Sequence, residues 1–129
     1  MFSDDHCPPH VHARHRGDGW IARLRFSYLN GKVELISIVP VKKVPLQRVA
    51  NRLLSDVQLR LLDCRRSWWL TRRTTCLANQ WAVVREPGKI ELLSKPAPNA
   101  KQIAEAEYDP ANEQVHVVFQ DGTTEQVKL

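Results

Sequence analysis

The hydrophobic residues of this chain change their spacing between residues 20 and 61, and this change constrains the fold more than any other feature. From Trp20 to Tyr28 apolar residues occupy every second position, which is the spacing of a strand with one buried face. From Leu46 to Leu61 they recur at intervals of three and four residues, which is the spacing of a helix with one buried stripe. A sheet that is followed by a helix predicts an α+β fold.

Turn and helix-start residues give bounds to these elements. Asn30-Gly31 separates two strand-like runs, and because both positions tolerate a positive φ we expect a hairpin that turns there and returns through Val33–Val39. Pro45 suits the first turn of a helix, so the main helix is predicted from about Pro45 to Leu62. The segment CRRSWWLTRR can extend this helix, whereas CLANQWAVVRE fits either a second helix or a strand.

The C-terminal part reads as strands. Residues 103–129 contain three extended runs, which are separated by turn signals at Asp109-Pro110 and at Asp121-Gly122. The complete prediction is a small antiparallel sheet with a main amphipathic helix, followed by a C-terminal β-hairpin or meander.

Charge and proline content predict a division of the chain. Residues 1–93 contain 16 Lys and Arg against 8 Asp and Glu, whereas residues 94–129 contain 3 against 6. Residues 94–102 include two prolines and no hydrophobic period, which is typical of a linker. We therefore predict a basic α+β domain at 1–93, a linker at 94–102 and an acidic β-hairpin segment at 103–129. The acidic segment is expected to shield or pair with the basic domain.

Several classes of protein are disfavoured. No apolar run approaches the ~20 residues that a membrane span needs, and the N-terminal residues do not have the pattern of a secretory signal. The three cysteines are Cys7, Cys64 and Cys76, and they form no CxxC pair. This usage favours a reduced, cytoplasmic setting, in which Cys64 and Cys76 are unpaired thiols.

The stretch DDHCPPHVH, residues 4–12, concentrates the groups that carry chemistry. His10 and His12 are two residues apart, so on a strand both imidazoles leave the same face. They can hold a zinc or manganese ion, with Asp4, Asp5 or His6 as a third ligand. The sequence does not identify which metal or cofactor, if any, the protein uses.

Three other interpretations of this stretch stay open. Without metal, His10 or His12 can act as general base or acid while Arg14 or Arg23 holds a phosphate. In a purely structural role, the aspartates accept backbone hydrogen bonds at a turn and the histidines fill a half-buried strand. The strand edge can also bind a partner. We expect His10 to be partly buried and held by a carboxylate, with His12 accessible.

A second cluster lies in the helical region. Trp68-Trp69 is flanked by arginines and can stack on nucleic-acid bases, although at helical spacing one tryptophan is expected in the core. The arginines are Arg65, Arg66, Arg72 and Arg73.

Two segments resemble bacterial families. MFSDDHCPPHVHAR, residues 1–14, resembles the opening motif of domain of unknown function 4160, and the likeness extends loosely to residue 93. This sequence has Cys7 where that family usually has Asn. The segment AEYDPANEQVHVVFQDGTTEQVKL, residues 106–129, is similar to the opening hairpin of domain of unknown function 2442.

The resemblance implies a small prokaryotic protein of a toxin–antitoxin-like gene pair. The leading prediction is that its basic domain binds RNA, DNA or a partner protein such as a cognate toxin or antitoxin. One alternative is a metal- or histidine-dependent nuclease with His10, His12 and Arg14 as catalytic residues. Another is a passive protein–protein adaptor that uses exposed strand edges, which also permit a homodimer.

Overall fold

The computed structural model describes residues 7–17, 19–40 and 47–129. Within these ranges the chain forms two antiparallel sheets and two helices, which confirms the predicted α+β class. The described residues divide into two compact units. One contains residues up to 27 and from 31 to 68, and the other contains residues 28–30 and 69–129.

The first unit contains a three-stranded antiparallel sheet with a central second strand. Its strands, in spatial order, are β1 (His10–His15), β2 (Trp20–Phe26) and β3 (Val33–Val39). Burial along β2 follows the predicted alternation, because successive side chains of a strand point to opposite faces. The buried residues are Trp20, Ala22, Leu24 and Phe26, and the exposed ones are Arg23 and Arg25.

The connection between β2 and β3 is longer than the predicted two-residue turn. The last pair of this ladder is Phe26 with Val33, so Asn30-Gly31 lies within a six-residue connection, 27–32. Tyr28 was expected to continue the buried face of β2. It is buried, but it belongs to the second unit, where its ring lies 5.0 Å from that of Tyr108.

Two consecutive helices occupy the region where one was predicted. They are α1 (Gln47–Leu59) and α2 (Leu61–Arg72), and the predicted start at Pro45 lies outside the described residues. Arg60 interrupts the helix, and its N–H donates to the Val57 carbonyl at 3.1 Å, in the tighter i to i−3 pattern. No feature of the sequence at Arg60 explains the interruption. The segment CRRSWWLTRR is helical through Arg72, as predicted, but it belongs to the separate helix α2.

The second unit contains a five-stranded antiparallel sheet. Its spatial order is β5 (Lys89–Leu93), β4 (Trp81–Glu86), β6 (Lys101–Asp109), β7 (Gln114–Phe119) and β8 (Thr124–Lys128). The three predicted C-terminal strands are therefore confirmed, and residues 81–86 form a strand. Gly122 has a φ of +88° and its N–H donates to the Phe119 carbonyl at 3.0 Å, which confirms the turn at Asp121-Gly122.

This second sheet curls, so that the β4–β5 turn contacts β8. The N–H of Gly88 donates to Oε1 of Glu125 at 2.7 Å. Gly88 has a φ of +79°, and a Cβ there would lie 3.1 Å from the carbonyl oxygen of Gln126. Glycine is therefore favoured by the positive φ, and the close approach of β8 leaves little space for a side chain.

The division of the structure lies elsewhere than the predicted linker. Residues 94–100 connect β5 to β6 of one sheet, and residues 101 and 102 already belong to β6. The units divide between Trp68 and Trp69, inside α2. Proline-rich composition indicates a connection, but it does not indicate whether the strands on either side pair in one sheet.

The cysteine prediction is correct for one residue and wrong for another. Cys64 is a free thiol, as expected, whereas Cys7 and Cys76 are disulfide-bonded. A disulfide requires proximity in space, which spacing along the chain does not reveal. The inference of a reduced compartment therefore loses its support. Among the described residues, no helix is long and apolar enough to cross a membrane.

Candidate functional site

The register of β1 on β2 gathers histidine and arginine side chains on one face of the first sheet. His12 is directly opposite Arg23, His10 is opposite Arg25, and Arg14 follows on the same side of β1. Directly paired residues of an antiparallel sheet share a face, so this face is opposite the buried row of β2. We call His12, Arg14, Arg23 and Arg25 the histidine–arginine face.

His10 lies at the end of this row and has a structural environment. Its ring is buried, and Nδ1 lies 2.8 Å from the Pro8 carbonyl oxygen. Because a carbonyl only accepts, Nδ1 donates and carries a proton. The ring lies 5.2 Å from that of Trp68 and 5.0 Å from that of His12. Among the described atoms, the expected carboxylate partner is therefore replaced by a backbone carbonyl.

His12 is exposed, as predicted, and its protonation differs from that of an isolated imidazole. Partial burial of the ring lowers the pKa of His12, and the nearby His10 and Arg23 lower it further because each disfavours a second positive charge. The neutral form of the ring is therefore favoured more strongly at pH 7 than in an isolated imidazole. A neutral imidazole offers a nitrogen lone pair that can accept a proton or a hydrogen bond.

The arginines of the face are incompletely neutralised. Nε of Arg25 lies 3.8 Å from Glu34, and Nζ of Lys32 lies 3.0 Å from the same carboxylate. The hydrogen bond from Lys32 lowers the pKa of Glu34, and the charge of Arg25 contributes in the same direction. Neither Arg14 nor Arg23 forms an ion pair with another described residue, so the face has an excess of positive charge.

Of the five predicted metal ligands, the structure describes His10 and His12. Asp4, Asp5 and His6 lie outside the described residues. Within residues 7–17, 19–40 and 47–129, no group of three or more His, Cys, Asp and Glu side chains is placed to hold an ion. His10 and His12 alone supply two nitrogen ligands, which are fewer than a zinc site uses.

Of the two tryptophans, Trp68 belongs to the core and Trp69 is half-buried, so neither is a fully exposed stacking platform. Trp68 is buried, with its ring 6.4 Å from that of Phe26, and the Trp69 ring lies 6.3 Å from that of Tyr108. Arg65 is buried as well, and its Nε donates to the Ser27 carbonyl at 3.0 Å. The sequence indicated the burial of a tryptophan, but it gave no signal for the buried arginine.

A groove of about 500 Å³ lies beside β1 and was not predicted. We call it the β1 groove. Apolar and sulfur-containing side chains line it, and charged groups from the helices lie beside them. The lining residues are Val11, His12, Ala13, Arg52, Leu53, Asp56, Val57, Arg60 and Cys64. Burial raises the pKa of the Cys64 thiol, and the neighbouring Asp63 adds to this effect, so the thiol stays protonated at neutral pH.

A second concavity, of about 830 Å³, lies in the curled sheet of the second unit. Its basic residues include Arg85, Lys89 and Lys128. Nε of Arg85 donates to Oε2 of Glu91 at 2.8 Å, and Nζ of Lys89 lies 3.9 Å from Oε2 of Glu86. His116 is exposed here, with Nδ1 2.8 Å from Oε1 of Gln126. The charges of this second concavity are thus more evenly balanced than those of the histidine–arginine face.

Comparison of the chain with family models, with curated proteins and with solved structures found no match of any of the three kinds. The two family resemblances therefore stay predictions, and the functional argument rests on the geometry of the described residues.

Proposed function

We propose that the protein binds nucleic acid through the histidine–arginine face. The observation that supports this proposal is the pairing of His12 with Arg23, which places Arg14, Arg23 and Arg25 on the same side of two adjacent strands. Phosphate groups bind arginine through charge-assisted hydrogen bonds, and neutralisation of phosphates supplies most of the affinity in non-specific nucleic-acid binding.

Salt dependence provides the sharpest test. Fluorescence anisotropy of a labelled single-stranded RNA of about 20 nucleotides would be measured with the full chain between about 50 and 200 mM salt. Each lost phosphate contact lowers the slope of log affinity against log salt by roughly 0.7. The double variant Arg14→Gln/Arg23→Gln is therefore expected to bind more weakly and to reduce this slope by about 1.4.

The matched control is Lys95→Gln/Lys128→Gln, which removes the same charge from the second unit. We expect this control to retain most of the slope of log affinity against log salt. Equal losses in the two double variants would show that binding follows net charge alone and would contradict a localised site. A duplex of the same sequence separates recognition of single strands from recognition of helices.

A second candidate function is histidine-dependent cleavage of RNA, and the lowered pKa of His12 favours it. A general base must be unprotonated at the working pH, and a neutral imidazole beside a guanidinium satisfies this requirement. His12→Ala is expected to abolish cleavage of the RNA, whereas His116→Ala, which changes an exposed histidine of the second unit, leaves the rate unchanged. Cleavage that persists in His12→Ala would exclude this mechanism.

The toxin–antitoxin role that the resemblance implies is proposed together with nucleic-acid binding. If the protein acts on cellular RNA or DNA, expression of the full chain slows bacterial growth. The variant Arg14→Gln/Arg23→Gln then restores growth at equal protein level. Equal growth inhibition by both proteins would separate any toxicity from the histidine–arginine face.

A further inference from the structure

The outer edge of β1 carries backbone groups that point away from its own sheet. The N–H of Phe26 donates to the Pro9 carbonyl at 3.0 Å, so Pro9 and, by alternation, Val11 and Ala13 direct their backbone groups toward β2. His10, His12 and Arg14 then direct theirs outward. In the part of the chain that the structure describes, β1 is an edge strand and no strand pairs with this side.

The β1 groove runs beside this edge and has two chemically different parts. Its apolar part consists of Val11, Ala13, Leu53 and Val57, all half-buried. Beside this apolar part lie two exposed arginines, Arg52 and Arg60. The lining contains one carboxylate, that of Asp56. The groove therefore offers apolar contact together with an excess of positive charge.

We propose that the outer edge of β1 binds an extended acidic peptide as an added antiparallel strand. This proposal rests on the open backbone edge of β1 and not on nucleic-acid binding, although both use the side of His12 and Arg14. An added strand completes the hydrogen bonds of an open edge, and its alternate side chains provide specificity. Residues that face the side of Val11 and Ala13 enter the groove and must be apolar. Residues that face the side of His12 and Arg14 are acidic, so the partner segment alternates apolar and acidic residues.

Charge argues against a second copy of this chain as the occupant. If two copies of β1 paired in antiparallel fashion about His12, each Arg14 would lie opposite His10 of the other copy and the two His12 rings would face each other. Side chains that are directly opposite in a sheet interact closely, and a second copy places no carboxylate opposite Arg14. An acidic segment instead places carboxylates next to Arg14, on the side of β1 that faces away from Val11 and Ala13.

Backbone methylation distinguishes strand addition from simple charge attraction. The probe is a fluorescent heptapeptide of alternating Glu and Val, and its affinity for the full chain is measured by anisotropy. Glu residues that lie opposite His10, His12 and Arg14 must direct their N–H groups toward β1, whereas Val N–H groups point away. N-methylation of the Glu amides is expected to weaken binding at least about tenfold, because several hydrogen bonds are lost together. N-methylation of the Val amides should change it little.

Charge reversal in the protein tests the groove itself. Arg52→Glu/Arg60→Glu should weaken binding of the unmodified peptide at least about tenfold, while Lys95→Glu/Lys128→Glu, which makes the same change of charge elsewhere, should not. Circular dichroism checks that both variants are folded. Equal binding of the two methylated peptides would overturn the proposal, as would a dimer of the protein that excludes the peptide.

Discussion

His10 and His12 lie two residues apart on β1, yet their side chains have different surroundings. His10 is buried against Trp68 and donates to a backbone carbonyl, whereas His12 is exposed beside Arg23. The difference arises because His10 lies at the start of the strand, where α2 covers it. His10 therefore resembles the structural interpretation of the motif, and His12 resembles the functional one.

The pKa of His12 gives a prediction at this scale. In the folded protein we expect it to lie below its ordinary value of 6.5, and Arg23→Ala should raise it because one of the repelling charges is removed. NMR titration of the ring protons measures both values. Arg16→Ala, which removes an exposed arginine from the β1–β2 turn, is the control and should leave the titration unchanged.

The direction in which the free energy of unfolding changes with pH follows from the lowered pKa of His12. As the pH falls through 6.5, the unfolded chain binds a proton at His12 before the folded chain does, so the contribution of this group to stability decreases. Well above pH 6.5 the folded and unfolded chains are both neutral at His12, so this loss of stability is absent. The loss is small at lower pH because the ring is exposed. A pKa of His12 above 6.5 would contradict the geometry of the face.

At the scale of single elements, the end of α2 contains a residue in an unfavourable conformation. Arg73 follows α2 with a φ of +57°, and its N–H donates to the Trp69 carbonyl at 2.9 Å, which is the usual hydrogen bond of a left-handed helix end. A side chain with a Cβ is strained in this conformation, whereas glycine is not.

Arg73→Gly is therefore expected to raise the free energy of unfolding by up to about 1 kcal/mol. The adjacent change Arg72→Gly lies within α2 and should lower it by up to about 1 kcal/mol, because glycine is a poor helix former. Urea denaturation of the two variants measures both effects. If both changes destabilised the protein equally, the assignment of the helix end would be wrong.

At the scale of the whole molecule, the disulfide-bonded state of Cys7 and Cys76 is the feature that most changes the expectation from sequence. A disulfide restricts the unfolded chain, and its removal typically lowers the free energy of unfolding by about 2–4 kcal/mol. We expect a reductant to lower the stability by that amount, as measured by urea denaturation. The double variant Cys7→Ser/Cys76→Ser should be insensitive to the reductant.

Thiol counting provides a direct check of the same feature. In denatured but unreduced protein, Cys64 alone is expected to react with a thiol reagent, and after reduction all three cysteines should react. Reaction of all three thiols before reduction would restore the prediction of a reduced protein.

The sequence by itself determined the features that depend on local spacing. The alternation from Trp20 to Phe26, the apolar stripe of the helical region and the turn at Asp121-Gly122 were all readable, because side-chain period and turn residues act within a few positions. The same period-two geometry placed His10 and His12 on one side of a strand.

Only the tertiary structure decided which distant segments meet. The burial of His10 by Trp68, the inclusion of Tyr28 in the second unit and the β1 groove all join residues that are far apart in sequence. The pairing of His12 with Arg23 depends on the register between two strands, which a turn of uncertain length does not specify. Such contacts depend on the packing of the whole unit, and a single local sequence pattern does not indicate them.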